Sequence, residues 1–139
     1  MDAVNLELTE KEFRRLLDLV YIGNWILNST REDDRFEDYD LLEEKLFSLC
    51  PSLGMHTLSQ RWRGHVYPSR AFEEGGIHEA IADYEDAVFF DILAEELARR
   101  DMEFDQVSAE DHDELNRRFD EYIDEFEKNG LNNLKVDCL

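Results

Sequence analysis

Residues 76–100 read GIHEAIADYEDAVFFDILAEELARR, and within them Ile77, Ile81, Tyr84, Val88 and Ile92 recur at steps of three and four. That is the period of one face of an α-helix and not of a strand, whose side chains alternate every two residues. The stretch predicts the longest helix of the chain, the third of four. Toward the C-terminus, Ser108 and Asp111 form a variant capping box. The fourth helix that follows carries Leu115, Phe119, Tyr122, Ile123 and Phe126 inward, and His112 on the same line. It stops at Asn129-Gly130.

Toward the N-terminus, a second helix is expected over about Asp38–Leu49. Tyr39, Leu42, Leu46, Leu49 and Cys50 fall on one side and Glu43 and Glu44 on the other. Pro51 ends it, because the residue before a proline is pushed out of the helical region, and Cys50 reads as a small core residue. The first helix, about Glu10–Asn28, opens with a capping box from Thr9 and Glu12. Phe13, Leu16, Leu17 and Val20 make its first half amphipathic, whereas Leu19, Val20, Tyr21, Ile22, Trp25, Ile26 and Leu27 then cover nearly the whole circumference. Such an end needs cover on all sides, either as the central helix of a bundle or as the contact of a homodimer. Between helices two and three, Ser52–Gly75 has three internal or terminal glycines, Pro68 and no sustained period. It is read as irregular, with room for a short strand pair or a helical turn. The tail, Leu131–Leu139, is apolar enough to dock. The fold class is therefore all-α: a single-domain bundle of four main helices over residues 1–139 with an irregular segment in the middle.

Composition agrees with a folded chain. Leu, Ile, Val and Phe supply 39 of 139 residues, well above the level at which a charged chain stays unfolded. A net charge of −20 argues against direct binding to nucleic acid or an anionic membrane. Met1–Thr9 shows no secretory pattern, and the longest hydrophobic run, Leu16–Leu27, contains Asp18 and is far shorter than a membrane span, so a soluble cytoplasmic protein is expected. In that setting Asn28-Ser29-Thr30 is a chance glycosylation sequon, and Cys50 and Cys138, with no CxxC spacing, are reduced thiols.

No dinucleotide, P-loop, zincin or hydrolase-elbow motif occurs. Gly75 and Ala109 stand three residues before His78 and His112, where a di-iron bundle needs glutamates, and Asp101–Glu114 lacks the glycine and spacing of a calcium loop. Three constellations remain. Glu79, Asp83 and Asp86 share one line of the third helix that continues into Phe90, Leu93 and Leu97. If burial of the apolar half shields them, they form a site for Mg²⁺ or Mn²⁺; the plainer alternative leaves them exposed or paired with arginine. Arg61, Arg63 and Arg70 lie in a segment, 51–72, that has no acidic residue. With Trp62 and Tyr67 they suit an anion, or else fold back on the acidic helices as an internal clamp.

The third constellation is the outer face of the fourth helix. Asp113, Glu114, Asp120, Glu121, Asp124 and Glu125 lie opposite its apolar stripe, partly offset by the four-residue pairs Asp113–Arg117, Glu114–Arg118 and Asp124–Lys128. Carboxylates about 5–6 Å apart can imitate a row of phosphates to a basic protein. The preferred expectation is thus an acidic, non-enzymatic interaction protein that engages a basic partner, as a nucleic-acid mimic or inhibitor, without resident cofactor. The runner-up is a Mg- or Mn-dependent hydrolase of a phosphate ester or nucleotide. A salt-adapted surface without a partner is the third reading, since 11 arginines and four lysines face 35 acids.

Overall fold

The computed structural model describes residues 2–102 and 111–137. Ser108 of the expected cap and Cys138 lie outside the described residues. The chain is mostly helical, in the order α1 (Glu10–Asn28), α2 (Glu37–Phe47), a 3₁₀ turn (Pro51–Leu53), β1 (Ser59–Trp62), β2 (His65–Pro68), α3 (Arg70–Phe72), a π segment (Glu73–Ile77), α4 (His78–Met102) and α5 (His112–Asn129). No described helix is long and apolar enough to cross a membrane. The four long helices are the expected ones. The contacts sort into two compact units, Met1–Ile81 and Ala82–Leu139, with the division falling in the first turns of α4.

In the first unit, α1 begins as expected: the Thr9 hydroxyl accepts from the Glu12 N–H at 3.1 Å and Glu12 accepts from the Thr9 N–H at 3.0 Å. Its inner stripe runs Phe13, Leu17, Tyr21, Asn24, Asn28, all buried and spaced by three or four. Leu19 and Ile26 are 69% and 64% exposed, so α1 is not covered on all sides. Phe47 and Cys50 are fully buried, and the Phe47 ring meets Phe72 edge-on at 4.9 Å. Phe72 in turn meets Tyr21 at 5.3 Å, which ties α1, α2 and α3 into one core with Val66, Ile77 and Ile81.

The segment between α2 and α4 is more regular than its composition suggests. Ser59 pairs with Pro68 and Trp62 with His65, leaving Arg63-Gly64 as a two-residue turn. Both turn residues have positive φ, 51° and 81°, the geometry that matches the right-handed twist of a hairpin. Glu44 of α2 accepts from the Val66 N–H and meets His65 Nδ1, each at 3.2 Å, anchoring β2. At Gly76 the backbone has φ 114°, a conformation open to glycine and strained for other residues, and α4 starts two residues later.

Two expectations about faces are corrected. On α2, Leu46 packs against the core and Cys50 is buried as read, but Tyr39, Leu42 and Leu49 are exposed, and Asp40, Glu43 and Phe47 turn inward in their place. The helix also ends at Phe47, four residues before the turn that Pro51 opens, because Leu49 and Cys50 already bond back three residues to Leu46 and Phe47. Along the line read for the third helix, Ile77, which ends the π segment, and Ile81 of α4 are buried as expected, but Tyr84 and Ile92 are exposed. In the second unit α4 buries Ala94, Leu97 and Ala98, and Leu97 and Ala94 pack with Phe126 of α5. Phe90 meets Phe126 at 5.3 Å, and the Tyr122 hydroxyl donates to Asp101. Leu115, Phe119, Tyr122, Ile123 and Phe126 of α5 turn inward as read, whereas His112 is exposed at the helix start.

α2 has no side-chain cap of its own. Asn28, 1% exposed at the end of α1, takes that role: its Oδ1 accepts from the Phe36 N–H at 2.8 Å and its Nδ2 donates to the Phe36 carbonyl at 3.1 Å. A carboxamide so engaged is not presented for glycosylation. Asn28→Ala strands the Phe36 amide, and we expect it to cost about 2–4 kcal/mol in urea unfolding followed by tryptophan fluorescence. A loss under about 0.5 kcal/mol would contradict the capping role.

Candidate functional site

The asparagines of α1 start a chain of hydrogen bonds that ends in an open cleft. Asn28 Nδ2 donates to Asn24 Oδ1 at 2.7 Å. Asn24 Nδ2 donates to Asp40 Oδ1 at 3.0 Å and to Glu43 Oε2 at 3.2 Å. Asp40 is also held by Arg35 through Nε and Nη2 at 3.1 and 2.9 Å, a bidentate pair that keeps its carboxyl below the usual range. Two amide side chains thus let two acids face the interior of a helix pair.

Glu43 is the exceptional group. Burial, the largest cause, and then the neighbouring charges of Asp40 and Glu73 push its carboxyl up to about 7 against the opposing bond from Asn24. Tyr21 stands beside it. Burial first, and then Glu73 and Glu43, push its hydroxyl up to about 12. That hydroxyl lies 2.6 Å from His78 Nε2, and the His78 ring meets Trp25 edge-on at 4.8 Å.

Tyr21, Glu43 and Tyr67 form the wall common to two cavities. One, of about 570 Å³, also contacts Asn24, Trp25, Arg35, Asp40 and Glu44. The other, of about 740 Å³, also contacts Arg61, Trp62, Arg70 and Glu73. Arg61 and Arg70 are therefore brought together, as the anion reading requires, but opposite Glu43 and Glu73. Arg70 is paired with Glu74 at 2.6 Å, and Arg63 stands apart with its guanidinium 4.3 Å over the Trp62 ring. The contact of this segment with α2 is made by Glu44, which meets His65 and the Val66 N–H and feels the charge of Arg61 through space.

The carboxylates Glu79, Asp83 and Asp86 are all exposed, as in the plainer of the two alternatives, and without the shielding on which the metal reading depends. Burial along their line begins only at Phe90, one turn beyond Asp86. Among the described residues no group of three or more His, Cys, Asp or Glu side chains is arranged to hold a metal ion.

The outer face of α5 divides in two. Glu114 lies 2.6 Å from Arg117 and 2.8 Å from Arg118, and these bonds, Arg117 first, pull its carboxyl down to about 2. Arg117 also pairs with Glu121, and Glu125 accepts from Asn129 and Asn133. Glu114–Arg118 is the expected pair, but Arg117 turns to Glu114 and Glu121 in place of Asp113. Asp113, Asp120 and Asp124 are exposed and have no ion-pair partner among the described residues. The chain matches no family model, no curated protein and no solved structure.

The sequence does not show the cleft directly because Glu43, a polar residue, falls with Glu44 on the side of α2 that reads as its outer face. The signal that reveals it is Asn24 and Asn28 continuing the stripe of Phe13, Leu17 and Tyr21 at helical spacing. The raised carboxyl of Glu43 has a consequence for stability. The native state holds a proton that the unfolded chain releases near 4.5, so stability falls as pH rises from about 4.5 to about 7 and is flat beyond. Discounted for its partial exposure, this cost is about 1–3 kcal/mol. Glu43→Gln should raise stability by that amount at pH 8 and leave it nearly unchanged at pH 4, in paired urea titrations. Equal stability at both pH values would show that Glu43 is not desolvated.

Proposed function

We propose that the protein is a non-enzymatic interaction protein that engages a basic partner through the outer face of α5. The observation that supports this most is the row Asp113, Asp120 and Asp124, exposed and without ion pairs among the described residues, where neighbouring acids are already neutralised by Arg117 and Arg118. At 1.5 Å per residue these three carboxylates are spaced about 10 and 6 Å along the axis, a row of charge that a nucleic-acid-binding surface can accept in place of phosphates. The net charge of −20 adds a long-range field that speeds encounter with a basic protein. Chemistry has less support. Burial pushes the Cys50 thiol up and the Tyr21 hydroxyl to about 12, so neither is an activated nucleophile.

The test compares the full chain with two variants of similar charge change. One replaces Asp113, Asp120 and Asp124 by asparagine; the other replaces Glu79, Asp83 and Asp86 by their amides. Cross-linking in a cell extract, with mass-spectrometric identification, should recover a basic protein on the wild type and on the α4 variant. The α5 variant should lose at least tenfold, and salt of a few hundred millimolar should release the partner. Equal loss in both variants would reduce the effect to overall charge, and a partner of acidic or neutral surface would overturn the proposal.

A further inference from the structure

The wall shared by the two cavities carries a carboxyl group, Glu43, that no ion pair neutralises among the described residues; Arg35 acts on it only through space. Around the smaller cavity, Asp40 is neutralised by Arg35 at 2.9 Å, and Glu44 is engaged by His65 and the Val66 N–H. Around the larger one, Arg70 is neutralised by Glu74, and Arg61 lines the far part with Trp62, outside the smaller cavity. Among the described residues the one hydrogen bond to the Glu43 carboxyl is the 3.2 Å bond from Asn24, and Glu73, which lines the larger cavity with it, adds a second negative charge that outweighs the distant Arg35. An anionic ligand meets this charge and the field of the whole chain; a neutral one leaves a half-buried carboxylate without a counter-charge.

A cation relieves both, and the walls select its type. Trp25 and Tyr67 line the same cavity as Glu43 with 38% and 42% of their surfaces exposed, so aromatic faces and edges remain uncovered beside the carboxylate. No set of three metal-ligating side chains surrounds the cavity among the described residues. A planar guanidinium combines what these walls offer, since it forms paired bonds to a carboxylate and stacks on aromatic rings. Volumes of about 570 and 740 Å³ accommodate a side chain and the backbone that bears it.

We propose that this cleft seats an arginine side chain of the basic partner, with its guanidinium against Glu43 and between the rings of Trp25 and Tyr67. The proposal rests on the reading of the protein as a binder of a basic partner and names the anchor of that contact. The unfavourable desolvation of Glu43 in the free protein is then the preorganised half of an ion pair that the partner completes.

The probe is N-acetyl-arginine amide, titrated into the full chain and followed by NMR at the Trp25 indole and Tyr67 ring, with the neutral isostere N-acetyl-citrulline amide beside it. The arginine compound should shift both rings saturably. Citrulline should bind at least tenfold more weakly, and so should arginine to Glu43→Gln, while exposed Glu37→Gln retains binding. The Glu43 variant is expected to be the more stable protein, so loss of binding there is not loss of fold. Equal binding of citrulline, or undiminished binding by Glu43→Gln, would overturn the site. In the cross-linking experiment, Glu43→Gln should also weaken capture of the basic partner. Capture that ignores Glu43 while the arginine probe still needs it would assign the cleft to a free guanidinium compound and overturn the anchor role. A failed probe with an intact dependence on Asp113, Asp120 and Asp124 would remove the cleft proposal and leave the α5 surface standing.

Discussion

The first unit depends on a buried polar seam where α1 meets α2. Asn28 closes the start of α2 by taking both polar groups of Phe36, and Asn24 passes hydrogen bonds on to Asp40 and Glu43. Apolar packing alone would bring these helices together without choosing their rotation, because it tolerates many arrangements of similar volume. Amide groups at this depth do choose, since a misplaced donor or acceptor in a poor dielectric costs more than a correct bond gains. The rotation they select puts Phe47 and Cys50 in the core and turns Glu43 toward the cleft. Site and fold therefore have one origin.

That arrangement carries a cost at Glu43, where the largest influence on the carboxyl is desolvation and the main compensation is a single amide bond. A leucine there would pack without such a cost. Groups of this kind collect where a surface is prepared for a ligand, and here the group stands at the junction of two cavities with aromatic walls. The second unit works differently. α4 and α5 pack through Phe90, Leu97, Phe119 and Phe126, and the arginines of α5 neutralise some acids and leave others in water.

What the sequence made legible followed from strong local signals. Thr9 and Glu12 marked the start of α1, Gly130 the end of α5, and the line of Leu115, Phe119, Tyr122 and Phe126 its inner face. α2 was harder because two faces compete over eleven residues. Tyr39, Leu42 and Leu49 make the more apolar one, and only the asparagines of another helix decide for Asp40, Glu43 and Phe47. For Glu79, Asp83 and Asp86 the sequence leaves exposure and shielding both open, because burial changes along α4 and a line that is apolar at Leu97 says little about its environment three turns earlier. In the middle segment, Arg63-Gly64 is a weak turn signal, and the hairpin draws support from Glu44, distant in sequence.

The most direct measurement is a pH titration of the Glu43 carboxyl carbon by NMR in the intact protein. A midpoint near 7, about 2.5 units above the ordinary glutamate value, is the expected result, because the seam holds this side chain out of water beside Asp40 and Glu73. A midpoint near 4.5 would mean that Glu43 stands in solvent, that α2 turns another face to α1, and that the cleft is not built as described.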